Sequence, residues 1–168
     1  MAEAVSKTKI FLARLVVVLL IAFVAAGLAW YGFSAEVRAR VWKNLLDRPR
    51  GPMTFRFFLQ PIMAAIAAAC DGLKDARTGR PPYFWTMLTN PAKVRGRLDE
   101  GLISTARIML LGLCMDVIYQ VIVFKTFHPA EAAIIAFVLG FVPYLALRGP
   151  VARIASWWRR DKTANEIR

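Results

Sequence analysis

The residues with the clearest chemical potential are Asp116, Tyr119 and Gln120, which lie in an otherwise apolar part of the chain. Their spacing of i, i+3 and i+4 places them on one face of a helix, and Gly112 extends that face by one turn. A carboxylate at the centre of a bilayer costs roughly 2.5–3.5 kcal/mol on insertion scales, so it usually faces a protein interior or water. We therefore treat this face as a candidate intramembrane polar site.

Three kinds of chemistry would use such a face. Asp116 and Gln120 can hydrogen-bond to another helix and set its register, which is the interpretation we favour. Alternatively, Asp116 can relay protons or cations along a polar path within an oligomer. Catalysis on a lipid, with Asp116 as base and Tyr119 assisting, lacks a second acid, a metal set or an activated nucleophile, so we do not expect an enzyme.

Arg107 is the nearest cation on the same predicted helix and completes the candidate site. It is nine residues from Asp116, about half a turn away in angle, so the two cannot pair within one helix. Its long side chain can instead reach towards the headgroups at the cytoplasmic end.

No cofactor or metal is expected, because the chain has a single histidine and two cysteines outside any metal-binding spacing. Cys70 and Cys114 fall in apolar segments and are predicted to be buried free thiols. Asp71 and Asp75, spaced i, i+4, form a possible divalent-cation pair. Lys74 and Arg77 beside them favour a solvated, salt-bridged helix end instead.

Composition and charge distribution indicate a membrane protein. The 168 residues are 58% hydrophobic, with a mean hydropathy of +0.46 and a net charge of +12. Residues 15–33 and 132–147 carry no charge, and such runs approach the roughly 20 residues that cross a bilayer. Lys and Arg concentrate at the ends of apolar segments, as interface anchors do, which argues against nucleic-acid binding.

The patterning predicts an all-α integral membrane protein, folded as a single unit. It has three transmembrane helices, one re-entrant or interfacial helix, and basic amphipathic flanks. The predicted transmembrane helices cover 10–33, 101–125 and 130–148, with Arg148-Gly149-Pro150 ending the last one. Residues 34–47 form an amphipathic segment capped by Ser34, and residues 150–168 form a basic cytoplasmic tail.

Residues 10–33 have a competing interpretation as a secretory signal peptide, since Lys7, Lys9 and Arg14 precede the apolar run. That run is longer than the usual 7–15 residues, which favours a retained anchor. Basic side chains of the two amphipathic flanks are the predicted contacts with anionic lipid headgroups. They are Arg38, Arg40, Lys43, Arg153, Arg159 and Arg160.

Residues 53–73 are the ambiguous segment. Pro61 is predicted to occupy the first turn of a helix, and Ala64, Ala68 and Gly72 form a row of small residues that would let another helix approach. If this helix does not cross, 19 basic residues lie inside and 4 outside; if it crosses, the split is 16 and 7. The positive-inside rule favours three crossings over four, and places the C-terminus in the cytoplasm in both cases.

Five motifs together resemble a recurring type of small bacterial membrane protein of no settled function. They lie at residues 55–61, 71–77, 79–83, 116–120 and 144–150. The resemblance covers roughly the last two-thirds of the chain and excludes the N-terminal anchor. It implies a bacterial inner membrane but no activity and no functional residues.

Taken together, these patterns predict a small non-catalytic membrane protein. We expect it to act as an accessory or scaffold subunit through anionic lipids and other membrane proteins or further copies of itself. Proton or cation conduction through Asp116 in an oligomer is the alternative.

Overall fold

The computed structural model describes residues 6–32, 34–47, 54–81 and 83–166, and every regular element in these ranges is a helix. The elements in chain order are α1 (Lys7–Tyr31), α2 (Ala35–Asp47), α3 (Phe55–Arg77), α4 (Tyr83–Thr89), α5 (Pro91–Tyr119), a π-helical turn (Gln120–Phe124), α6 (Pro129–Gly140) and α7 (Val142–Glu166).

Four helical stretches of the described chain are long and apolar enough to cross a membrane. They are Lys7–Tyr31, Phe55–Arg77, Pro91–Val123 and Pro129–Arg159, with peak mean hydropathies of 2.7, 1.3, 1.8 and 2.0. The class expected from the sequence, an all-α chain with several such helices, is therefore confirmed. The choice between three crossings and four depends on Phe55–Arg77, the least apolar of the four.

Helix α3 lies antiparallel to α5, as three contacts show. Arg56 near the start of α3 meets Asp116 near the end of α5. One turn further on, the Gln60 amide donates to the carbonyl oxygen of Ile108, at 3.3 Å. Towards the end of α3, Asp71 accepts a hydrogen bond from Ser104 at 2.6 Å. The two helices therefore run side by side over about 20 Å.

Small residues allow the helices to pack closely, as predicted for α3. Ala64 and Ala68 are fully buried against Tyr83 and Tyr144. A Cβ on Gly72 would lie 2.9 Å from the carbonyl oxygen of Arg148 on α7. Because a side chain there would push α7 away, the row of small residues is an interhelical contact surface.

Helix α1 packs on α5 and α6. A Cβ on Gly27 would lie 2.4 Å from the Ala130 Cβ, so the two helices touch at this point. The outer face of the bundle carries large apolar side chains, among them Phe11, Ile21, Ile62, Ile66 and Ile122, each more than half exposed. A row of this kind is the surface expected of helices covered by hydrocarbon.

Two predicted boundaries are wrong, and a third prediction holds. Pro61 lies inside α3, not in its first turn, because α3 already begins at Phe55. Helix α5 begins at Pro91, ten residues before the predicted start, because the basic residues ahead of Gly101 are helical too. The predicted helix 130–148 is continuous with Pro143 inside it, as expected, and only Phe141 between α6 and α7 is irregular, since Pro143 has no N–H to donate.

The predicted stop at Arg148-Gly149-Pro150 is also wrong, because α7 continues through Pro150 to Glu166. Packing explains the continuation. The Arg148 side chain is tied to α3 and α5, and Val151 packs over Gly72, so α7 is held on both sides of the proline. Tertiary contacts of this kind outweigh the cost of one missing backbone hydrogen bond.

Two local expectations have opposite outcomes. Ser34 caps α2 as predicted, since its hydroxyl accepts a hydrogen bond from the Val37 N–H at 3.2 Å. Cys70 and Cys114 are free but exposed, so the prediction that they are buried is wrong. Both lie on outward faces of their helices. The residues around them are apolar because these faces contact the surroundings of the bundle, and not because they are buried inside it.

Candidate functional site

Asp116 lies at the centre of a buried polar cluster between α3 and α5. Its Oδ1 accepts a hydrogen bond from Nη2 of Arg56, forming an ion pair in which the side chains are 0% and 2% exposed. The Arg56 guanidinium also lies 6.0 Å from the centre of the Tyr119 ring. A buried charge is stable only when it is paired and hydrogen-bonded, so each of these two groups depends on the other.

Gln60 joins the cluster through a close approach to Gly112. It shares a face of α3 with Arg56, at a spacing of i, i+4. A Cβ on Gly112 would lie 1.7 Å from Gln60 Nε2, so the amide occupies the space that a larger residue would need. The predicted groove beside Gly112 is therefore filled by a side chain of a neighbouring helix.

Gln120 connects Asp116 to the turn between α5 and α6. Its Nε2 donates to Asp116 Oδ2 at 2.6 Å and to the His128 carbonyl oxygen at 3.2 Å. The His128 N–H donates to Gln120 Oε1 at 2.5 Å. The chain leaves α5 through the π-helical turn that starts at Gln120, and Lys125 adopts a left-handed conformation with φ of 51°. Gln120 thus ties the turn to the ion pair.

Three of the four residues predicted for this site lie together and are buried: Asp116, Tyr119 and Gln120. Arg107 does not join them, because its side chain points outward from α5 and is exposed. Sequence reasoning missed Arg56. The sequence feature that could have indicated Arg56 is its position as a single cation among Phe55, Phe57 and Phe58. Gln60 lies on the same helical face.

A second polar cluster, the Arg148 network, lies at the opposite end of α3 and α5. Arg148 donates from Nε to Asp75 Oδ2 at 2.8 Å, from Nη1 to the Tyr144 hydroxyl at 2.7 Å, and from Nη2 to Glu100 Oε2 at 3.0 Å. One guanidinium therefore holds α3, α5 and α7 together.

Further arginines and hydroxyls complete this network. Arg97 lies 3.5 Å from Asp75 and 3.3 Å from Glu100, and Arg80 donates to Glu100 at 3.1 Å. Asp71 Oδ2 accepts hydrogen bonds from Ser104 at 2.6 Å and from Tyr144 at 2.7 Å. Three carboxylates and three guanidiniums balance in charge, so the network is a neutral interhelical connection.

The predicted helix end at Asp71 and Asp75 is salt-bridged as expected, but it is not solvated. Asp75 is 2% exposed and pairs with arginines from α5 and α7. The i, i+4 spacing put both carboxylates on one face, but only the packing shows that this face points into the bundle. Arg148 was the available signal, as a cation directly after a 16-residue uncharged run and four residues beyond Tyr144.

Tyr83 on α4 covers the network. Its hydroxyl donates to the Arg97 carbonyl oxygen, and the Arg148 guanidinium lies 4.3 Å from the centre of its ring. Burial raises the pKa of Tyr83 from 10.0 to about 12, and the positive charge of Arg148 partly opposes this rise.

The basic flanks lie at opposite ends of the bundle. Helix α2 lies beside Tyr31, where the Arg40 guanidinium is 4.9 Å from the ring centre. The end of α7 lies beside α3, where Arg159 donates to the Ala76 carbonyl oxygen at 3.4 Å. Most of the predicted headgroup contacts are exposed, namely Arg38, Lys43, Arg153 and Arg159, while Arg40 is half-buried. The Arg160 side chain lies outside the described part of the chain.

Among the described residues, no group of three or more His, Cys, Asp or Glu side chains is arranged to hold a metal ion. A comparison of the chain with protein-family models, curated proteins and solved structures gives no match. The class of protein is therefore defined by the architecture of the described ranges, which form an all-helical bundle with four helices long and apolar enough to span a membrane. A charged network lies at each end of the bundle.

Proposed function

We propose that this protein is a non-catalytic accessory or scaffold subunit of a bacterial inner membrane, which acts through anionic lipids and membrane partners. The observation that carries this proposal is the pairing of its two basic flanks with exposed aromatic side chains. Trp42 on α2 is 64% exposed, and Trp157 and Trp158 on α7 are 65% and 64% exposed. Exposed tryptophan beside Arg and Lys is typical of segments that lie at the headgroup level.

In this proposal Asp116 has a structural role. Its carboxylate is paired with Arg56 and bridged by Gln120 to the α5–α6 turn, so it joins three parts of the chain. Arginine stays protonated in proteins, so the partner charge is permanent. The ion pair holds α3 in register with α5 and leaves the outer surfaces of the bundle for external contacts.

We further propose that α3 crosses the bilayer, which gives four crossings with both ends of the chain in the cytoplasm. The side-by-side register of α3 and α5 supports this, since an interfacial helix would not follow a spanning neighbour for about 20 Å. The 20 residues from Arg56 to Asp75 rise about 28 Å, close to the roughly 30 Å thickness of the hydrocarbon. The two charged clusters would then lie near the two headgroup regions.

Conduction of protons or cations through Asp116 remains the alternative. The position of Arg56 argues against cation passage, because a guanidinium beside the carboxylate repels a second cation. The π-helical turn at Gln120 is a feature often found at functional sites, and it is the one observation that favours this alternative.

Crosslinking followed by purification in mild detergent tests the scaffold proposal. We expect the full-length chain to purify with a stoichiometric membrane partner or with further copies of itself. The outcome that contradicts the proposal is a protein, monomeric or oligomeric, that conducts protons into reconstituted vesicles and loses that flux in Asp116→Asn. An Arg107→Gln variant, altered at an exposed site away from Asp116, is the matched control.

A further inference from the structure

An apolar groove runs along the outer face of α1 and α6 and ends beside α2. Two adjoining cavities of about 360 Å³ and 570 Å³ form it, and they share Val24, Leu28 and Ile134 as lining residues. Both volumes fall in the range of about 300–1,000 Å³ that is usual for ligand sites. We call this feature the α1–α6 groove.

The groove has the length of a lipid chain in one leaflet. Its lining on α1 extends from Val17 to Tyr31, which is about 21 Å of helix. Half of the hydrocarbon thickness is about 15 Å. An acyl chain that enters from the α2 end would therefore be covered by protein along one whole leaflet.

The two ends of the groove differ in chemistry. The end near Val17 and Phe137 is apolar, whereas the end at α2 is lined by Arg38, Arg40, His128 and Glu131. With two guanidiniums and one carboxylate, this end carries a net positive charge. An amphiphile with an anionic headgroup matches this gradient along the groove.

Arg40 is held in place for such a contact. Its guanidinium lies over the Tyr31 ring, and that ring stacks on His128 with centroids 4.8 Å apart and an interplanar angle of 23°. The Tyr31 hydroxyl donates to the Phe127 carbonyl oxygen at 2.8 Å, which fixes the ring. Arg40 Nε is buried and has no hydrogen-bond partner among the described residues. The terminal N–H groups of a guanidinium held in this way are the ones that can donate to a phosphate oxygen in the groove.

We infer that the α1–α6 groove binds one anionic phospholipid, with an acyl chain along Val24, Leu28 and Ile134 and the phosphate at Arg40 and Arg38. This inference rests on the proposed function, which it narrows from general attraction to anionic membranes to a single saturable site. Arginine suits the role because its planar guanidinium matches the geometry of a phosphate.

Native mass spectrometry of the full chain in a neutral detergent tests the inference. The probes are phosphatidylglycerol and phosphatidylcholine with identical acyl chains. We expect one phosphatidylglycerol molecule to bind saturably and at least tenfold more tightly than phosphatidylcholine. Arg38→Gln combined with Arg40→Gln should reduce the phosphatidylglycerol affinity at least tenfold. Arg95→Gln combined with Arg107→Gln, which removes the same charge from exposed sites on α5, should leave it within about twofold.

A second pair of variants tests the position of the acyl chain. Val24→Trp fills the groove where the two cavities join and should weaken binding of both lipids. Val18→Trp, at an exposed position on α1 outside the groove, should not.

Equal affinity for both lipids would overturn the inference, because the groove would then not distinguish an anionic headgroup from a neutral one. Equal losses in the two arginine pairs would also overturn it, because the overall charge of the protein would then explain the binding. Unchanged binding in Val24→Trp would also overturn it. Each of these results leaves the scaffold proposal standing if a partner still purifies with the variant protein. Intact lipid binding by an unaltered protein that purifies with no partner and no further copy of itself would overturn the scaffold proposal and not the groove.

Discussion

Arg56, near the start of α3, forms an ion pair with Asp116, near the end of α5, and both side chains are buried inside the bundle. The contact joins residues 60 positions apart in the chain. It is also connected through Gln120 to the turn between α5 and α6.

Removing either member of the Arg56–Asp116 pair should destabilise the protein strongly. Arg56→Met or Asp116→Leu leaves an uncompensated buried charge, which costs about 3–5 kcal/mol in the free energy of unfolding. The combination of both changes should be less destabilising than either alone, since no charge is then left unpaired. Unfolding by denaturant in detergent micelles measures the free energy of unfolding of the unaltered protein, the two single variants and the double variant. Arg107→Met, at an exposed site, is the control, and its free energy of unfolding should stay within about 0.5 kcal/mol of the unaltered protein. Simple additivity of the two changes would show that the pair is not coupled.

Gly112→Ala should destabilise the contact between α5 and α3, because the new Cβ takes the place of the Gln60 amide. The displaced amide loses its hydrogen bond to Ile108, so we expect a cost of about 1–3 kcal/mol. In a Gln60→Ala background the same change should cost much less. Gly96→Ala is the matched control, as it lies on α5 with open space around it and should be neutral or slightly stabilising. An equal effect of Gly112→Ala in both backgrounds would contradict the predicted contact.

Arg148→Lys should weaken the bundle although it keeps the positive charge. A lysine ammonium cannot reproduce the planar set of bonds to Asp75, Tyr144 and Glu100. We expect a fall in thermal stability of several degrees and a loss of cooperativity, measured by circular dichroism in micelles. Arg153→Lys, at an exposed position on the same helix, should unfold like the unaltered protein. Equal melting curves for the two variants would show that the network does not hold the helices together.

Stability should fall at alkaline pH as Tyr83 ionises. Burial raises its pKa from 10.0 to about 12, so between these values the folded state retains a proton that the unfolded state has lost. Unfolding then releases a proton, and stability is greatest below pH 10 and decreases as the pH rises towards 12. The ultraviolet absorbance of tyrosinate should show a late-titrating group that is missing in Tyr83→Phe. A titration curve that is the same in both proteins would contradict this prediction.

The number of crossings can be measured by labelling single cysteines in intact cells, in a background that lacks Cys70 and Cys114. Four crossings place Ser6→Cys on the cytoplasmic side and Lys43→Cys on the outer side together with Thr126→Cys. Three crossings place Ser6→Cys on the outer side and Lys43→Cys on the cytoplasmic side, and leave Thr126→Cys outside. We expect Lys43→Cys to react with a membrane-impermeant maleimide and Ser6→Cys to react only after permeabilisation.

Local chemistry in the sequence was sufficient to predict several features of this protein. Uncharged runs predicted membrane-length helices, the i, i+3, i+4 spacing predicted the shared face of Asp116, Tyr119 and Gln120, and Ser34 predicted the cap of α2. These features depend on residues within a few positions of each other. A helix of fixed pitch therefore determines them wherever it lies.

Only the tertiary structure decided which faces point inward and which distant residues meet. Arg56 pairs with Asp116, and Arg148 pairs with Asp75, which lies 73 positions earlier in the chain. No local pattern encodes these contacts. The same packing keeps α7 helical through Pro150 and places Cys70 and Cys114 on exposed faces. In a membrane protein both faces of a helix are apolar, so periodicity alone cannot separate the buried face from the lipid-facing one; close packing makes that choice.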